Sequence, residues 1–115
     1  MRIVDRKNRV SLRELHEMAT NTFGDMVKAV VDARLANMAI DAELHADEEA
    51  LLLENGSDQK DLWGINLYPE IEGADFIEFD SMINLRPSIG NRSRGVEDPE
   101  VREKIRKVIA DLVIQ

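Results

Sequence analysis

The chain contains no cysteine. That absence excludes disulfides, thiol nucleophiles and cysteine-ligated metal sites, and it leads to the expectation of a reducing, cytoplasmic setting. Aromatics are scarce as well. Phe23, Trp63, Tyr68, Phe76 and Phe79 are all there are, so the core has to be largely aliphatic. No long apolar run occurs. The most apolar window, Met26 to Leu44, is interrupted by Lys28, Asp32, Arg34, Asp41 and Glu43, which rules out a membrane span there. The opening MRIVDRKNRV lacks the apolar stretch of a secretory leader. Positive charge is in the minority, with 15 Lys and Arg against 23 Asp and Glu, for a net charge of −8. Phosphate repulsion then opposes nonspecific association with nucleic acid or an anionic membrane, and neither is expected as a partner.

What is present reads as one globular domain spanning 1–115. Hydrophobic residues make up 43% and charged residues 33%, and no linker, repeat or low-complexity tract interrupts the chain. Arg2–Val4 suits a short strand. Ser11 and Glu14 form a capping box ahead of a helix whose apolar face is Leu12, Leu15, Met18 and Ala19. Met26–Arg34 and Met38–His45 read as a hairpin. A two-residue loop at Ala36-Asn37 sets Ala33 opposite Ile40, Val31 opposite Ala42 and Ala29 opposite Leu44, which keeps the apolar sets on one face. Asp47–Glu49 open a second helix that is apolar all round at Ala50–Leu53, and Asn55-Gly56 ends it. Leu62–Tyr68 and Asp75–Leu85 form a second hairpin closed at Ile71-Glu72-Gly73. There residue 65 meets 79 and 67 meets 77, with Gly73 in the left-handed region. Ile77, Phe79, Ile83 and Leu85 would be its core spine. Asp98-Pro99 caps a last helix with the stripe Val101, Ile105, Val108, Ile109, Leu112, and Glu100–Lys104 and Glu103–Lys107 are spaced as ion pairs. The fold class is therefore α+β, in the order β-α-β-β-α-β-β-α. Its four- or five-stranded sheet is mostly antiparallel, with three helices on one face and a polar, partly open face opposite.

Three constellations carry chemistry. Strand alternation would put Asp41, Glu43 and His45 on one face, where carboxylates beside an imidazole can hold a divalent metal or exchange protons. They are the candidate metal ligands, although no HExxH-type spacing supports a zinc site. Without that metal, no cofactor is expected. Glu78, Asp80, Asn84 and Arg86 would share the outward face of the last strand, with Asn66 and Tyr68 across the hairpin and Phe76 and Met82 as apolar neighbours. Arg86, Ser88, Gly90, Asn91, Arg92, Ser93 and Arg94 form an arginine-rich loop free of acids. That loop suits an anionic ligand, except that Glu97 and Asp98 occupy the start of the following helix and repel an anion there. Pairing of these arginines with the protein's own acids, in particular the Asp41–Glu49 run, is the plainer reading. His16 stands alone on the first helix, with no ligand-like partner.

The strings DAELHADEEALLLENGS (41–57), DLWGINLYP (61–69), IEFDSMINLRP (77–87) and GNRSRGVEDPEVREKI (90–105) together resemble a small prokaryotic domain family of unknown function, over most of the chain from Phe23 onward. The resemblance implies a prokaryotic, cytoplasmic protein and brings no catalytic residues or cofactor with it.

Function is thus left to the residues. The leading expectation is a binding module for a protein or a small anionic ligand, with Glu78, Asn84, Arg86, Asn91, Arg92 and Arg94 as the contact set. The alternative is a small hydrolase, metal-dependent or not, acting on a phosphate-bearing or other anionic substrate. It would use Asp41, Glu43, His45 and Asp80 in catalysis, with Arg86 and Arg92 neutralising the substrate. A homodimer that buries the polar face or pairs edge strands is the third reading.

Overall fold

A computed structural model describes all of residues 1–115. The protein is α+β, with three helices and a five-stranded antiparallel sheet. The strands of that sheet are β1 (Arg2–Val4), β3 (Val27–Asp32), β4 (Asn37–Ile40), β5 (Leu62–Leu67) and β6 (Ile77–Glu78), in the spatial order β1-β4-β3-β5-β6. Two further short strands, β2 (Val10–Ser11) and β7 (Val113–Ile114), pair in parallel and bring the two ends of the chain together. The helices are α1 (Leu12–Asn21), α2 (His45–Glu54) and α3 (Pro99–Leu112). None is long and apolar enough to cross a membrane.

The local signals act where they stand in the chain. Ser11 and Glu14 satisfy each other's backbone N–H groups as the expected box, at 3.0 Å in both directions. Asp98 accepts from the Glu100 N–H at 2.9 Å, with Pro99 at the first helical position. Gly73 and Gly56 both take positive φ, at +80° and +98°. The pairs Glu100–Lys104 and Glu103–Lys107 do not form, and Glu103 turns to Arg106 instead at 3.7 Å.

Alternation divides the sheet into two buried faces. Val27, Ala29 and Val31 of β3 join Leu15 and Ala19 of α1 and Ile105, Ile109 and Leu112 of α3 in the main core. Val30, on the opposite side of the same strand, packs with Ala39, Leu62 and Leu52 of α2 in a smaller core. The helices therefore divide between the faces, where the sequence reading set all three on one. The face expected to be polar and partly open is covered by α2 and by residues near Ile83.

Two hairpin expectations meet different outcomes. In the second hairpin the expected register holds, with Leu67 opposite Ile77 and Asn66 opposite Glu78. Pairing stops at Glu78, however, and residues 82–84 and 87–89 are single 3-10 turns rather than strand. The expected core spine consequently splits. Ile77 and Phe79 pack on the main core, Ile83 on the smaller one, and Leu85 is exposed. In the first hairpin Ala29 faces Ile40 and Val31 faces Met38. That is four residues away from the expected register. A shift of four is even, so every side chain keeps its face and the apolar pattern cannot tell the two registers apart. Buried Asp32 resolves the ambiguity. Its Oδ1 accepts the N–H groups of Arg34 and Leu35, and its Oδ2 accepts the Ser57 hydroxyl at 2.6 Å. The turn is thus capped immediately after β3, leaving four residues in the loop.

Candidate binding surface

The shortened β4 changes the first constellation. The strand ends at Ile40, Asp41 takes φ of +70°, and His45 already belongs to α2. Asp41, Glu43 and His45 therefore do not alternate along one strand. No group of three His, Asp or Glu side chains is placed to hold a metal ion. Glu43 is exposed and His45 is buried.

His45 lies on the buried side of α2 together with Glu48 and Leu52, at helical spacing. The expectation of a helix apolar all round is corrected here, since Leu53 is exposed and two titratable residues face inward. His45 Nε2 lies 2.8 Å from the Ile65 carbonyl oxygen. A carbonyl only accepts, so Nε2 carries the hydrogen and Nδ1 is the free acceptor. Burial lowers the His45 pKa, and the nearby positive charges of Lys28 and Arg94 push the same way, while the Ile65 bond and Asp80 oppose them. Glu48 is completely buried, and burial raises its carboxyl to about 9. Its Oε2 accepts the Ala42 N–H at 3.0 Å, and its Oε1 has no partner.

Strand register assembles a polar row beside His45. Lys28 of β3 stands opposite Asn66 of β5, which stands opposite Glu78 of β6. Asn66 Nδ2 donates to Glu78 Oε1 at 2.8 Å, and Tyr68 donates its hydroxyl to the same oxygen at 3.0 Å. Burial, with Glu78 next, holds the Tyr68 pKa above its ordinary value. Arg94 closes the row by gripping Asp80 at 2.8 and 3.3 Å. Asn66, Tyr68, Glu78, Asp80 and Arg94 thus come together, with Lys28 in the same row and His45 within electrostatic reach of Lys28, Asp80 and Arg94.

The rest of the proposed contact set holds the loop 79–97 in shape. Asn84 is fully buried and mimics a strand residue. Its Oδ1 accepts the Gly64 N–H at 2.8 Å and its Nδ2 donates to the Gly64 carbonyl at 2.9 Å, with a further bond to the Arg94 carbonyl. Gly64 is required for this approach, because a Cβ there would overlap Ser81. Asn91 is buried too. It donates to the carbonyls of Asn84 and Gly95 at 2.7 and 2.8 Å and accepts the Glu97 N–H at 2.9 Å. Arg86 lies 4.4 Å over the Trp63 ring and donates to the carbonyls of Gln59 and Leu62. Burial lowers its pKa, opposed by Glu49, and it forms no ion pair. Pairing of the arginines with the Asp41–Glu49 run is therefore corrected: Arg94 pairs with Asp80, and Arg86 binds backbone. Arg92 is the exception, with an exposed side chain that has no partner in the protein.

The apolar neighbours also separate. Phe76 packs against the main core, whereas Met82 is 62% exposed. Leu85 and Ile89 of the same loop are exposed as well, at 42% and 50%. Spacing along α2 (45, 48, 52) was the signal that would have found Glu48. Nothing local could have identified Asn84 or Asn91 as internal fasteners. A groove of about 800 Å³ lies on the other side of the sheet among α1, α3 and the turn before β6.

A family model described as "Protein of unknown function (DUF5674)" matches residues 3–112, and the chain belongs to that family. No curated protein and no solved structure matches it.

Proposed function

We propose that this DUF5674 protein is a cytoplasmic binding module that presents the 79–97 loop, with the Lys28–Asn66–Glu78 row beside it, to a partner protein. The carrying observation is the contrast between the two sides of the loop. Inside, Asn84, Asn91 and Arg86 tie its backbone down. Outside, Met82, Leu85, Ile89 and Arg92 meet no other part of the chain that covers them. Long irregular segments are uncommon in compact domains and are usually functional. A loop ordered in advance loses little entropy on docking, so its exposed apolar side chains contribute more of their burial to affinity. Free Arg92 favours a partner that sets a carboxylate beside an apolar patch.

What counts against the hydrolase alternative is its parts list. Asp41 and Glu43 stand outside the row, and Arg86 is committed to backbone carbonyls. Asp80 is gripped by Arg94, His45 Nε2 is committed to the Ile65 carbonyl, and the two alone make no metal seat.

The test is affinity capture with cross-linking from the native host. Wild type is compared with Met82→Asp, Ile89→Asp and Arg92→Glu, and with Arg13→Glu on α1 as the control. Surface changes of this kind leave stability within about 0.5 kcal/mol. A partner retained by wild type and by the control, and depleted about tenfold or more by each loop variant, supports the reading. Equal recovery by all five proteins would sink it.

A further inference from the structure

We infer that the groove on the opposite side of the sheet is a self-association surface whose occupant is a second copy of this chain. The groove holds about 800 Å³. Its floor is apolar, formed by Leu12 of α1, Phe76 and Ile77 before and in β6, and Ile109 of α3. Its walls differ in charge. One wall is the turn Glu70-Ile71-Glu72, with both carboxylates exposed and Ile71 41% exposed. Neither glutamate has a basic partner within the chain. The other side carries His16 of α1 and Arg106 of α3, whose guanidinium lies 5.4 Å over the Phe79 ring and keeps only a loose, exposed contact to Glu103 at 3.7 Å.

This distribution selects the occupant. A purely anionic ligand meets Glu70 and Glu72, and a purely cationic one meets Arg106. An isologous contact requires both complementary halves on one surface, related by a twofold axis. The groove meets that requirement. An axis through it sets each copy's Glu70-Ile71-Glu72 turn against the other's His16 and Arg106 wall, with the two Ile71 side chains over the apolar floors. With a net charge of −8, two copies repel over most of their surfaces. They approach most easily where a basic side chain stands beside the acids, as Arg106 does here.

Sedimentation velocity and light scattering on the full chain provide the test. Wild type is expected to move from 13.1 kDa towards twice that mass as concentration rises. Arg106→Glu alone, and Glu70→Lys with Glu72→Lys alone, should each weaken association about tenfold or more. Mixing these two proteins should restore it, because an unchanged acidic turn then meets an unchanged Arg106, and a lysine turn meets a glutamate. Altered folding in either variant cannot imitate that rescue, and thermal melts check folding separately. Wild type remaining at 13.1 kDa to about millimolar concentration overturns the inference. So does a dimer that survives both sets of substitutions, or a mixture that fails to associate.

Discussion

Glu48 shows at residue scale how burial overrides residue type. Acids in the first turn of a helix ordinarily face solvent and stabilise the helix dipole. Glu48 instead points under α2, is fully buried and has a pKa raised to about 9. The folded protein therefore binds a proton that the unfolded chain releases above its ordinary value of 4.5. The stability associated with that proton is complete below pH 4.5 and is lost as pH rises towards 9. At pH 7 the cost is on the order of 3 kcal/mol by linkage. Glu48→Gln keeps an acceptor for the Ala42 N–H and removes the charge. It should stabilise the protein by about 1–3 kcal/mol at pH 7 and by nearly nothing at pH 4, measured by urea unfolding across pH. A gain of equal size at both pH values would refute the assignment. His45 acts in the opposite direction. Its lowered pKa contributes stability above pH 6.5 that is lost as the solution is acidified below it.

At the scale of elements, the 79–97 loop is the piece that sequence patterning misread. Alternation of Phe76, Glu78, Asp80, Met82 and Asn84 imitates a strand, and the register through Glu78 is correct. The strand fails beyond that because Asn84 supplies Gly64 with both of its hydrogen bonds from a side chain. Asn84→Ala would leave the Gly64 N–H and carbonyl without their present partners, while the Arg94 carbonyl keeps the Ser81 N–H. Unsatisfied buried groups of this kind cost about 1–3 kcal/mol each and do not add fully, so a loss near 3 kcal/mol is expected in chemical denaturation. The same variant should expose the amides of Gly64 and Ser81 to hydrogen exchange before the rest of β5. If protection there is unchanged, the loop is held by something other than Asn84. Helices α1 and α3 were legible for the converse reason. Their capping residues and apolar stripes are local, and tertiary packing agrees with them at Ser11, Asp98 and Leu112.

For the whole molecule, the parallel pairing of Val10 with Val113 and Ser11 with Ile114 ties the beginning of the described chain to its end. Arg9 reinforces it by donating to the Asp111 carbonyl at 2.9 Å and to its carboxylate at 3.2 Å. Val113 is buried in the main core, so the clasp and the core should open together. Val113→Ala is expected to cost about 1–2 kcal/mol and to raise hydrogen exchange at Val10 and Ser11 as well as at Ile114. Faster exchange at Ile114 alone would show the clasp to be a separate, frayed unit. No run of sequence could have announced this pairing, since each strand is two residues long and its partner lies about a hundred positions away.

By itself the sequence determined what local chemistry can determine. It set the α+β class, helices α1 and α3 through their caps and stripes, the second hairpin's register at Asn66–Glu78 and Leu67–Ile77, although a 3-10 turn over Gly73–Phe76 replaces the expected three-residue loop, and the meeting of Asn66, Tyr68, Glu78 and Asp80 on one face. Tertiary structure decided which of two face-preserving registers the first hairpin takes, because Asp32, which caps the turn at Arg34 and Leu35, is itself held in the interior by Ser57. It also decided that α2 covers the face opposite α1 and α3, and that Asn84, Asn91 and Arg86 fasten the 79–97 segment through backbone groups. The physical reason is common to these outcomes. Periodicity fixes the side of an element on which a residue lies, but whether a polar side chain meets solvent, backbone or another chain depends on what packs over that side.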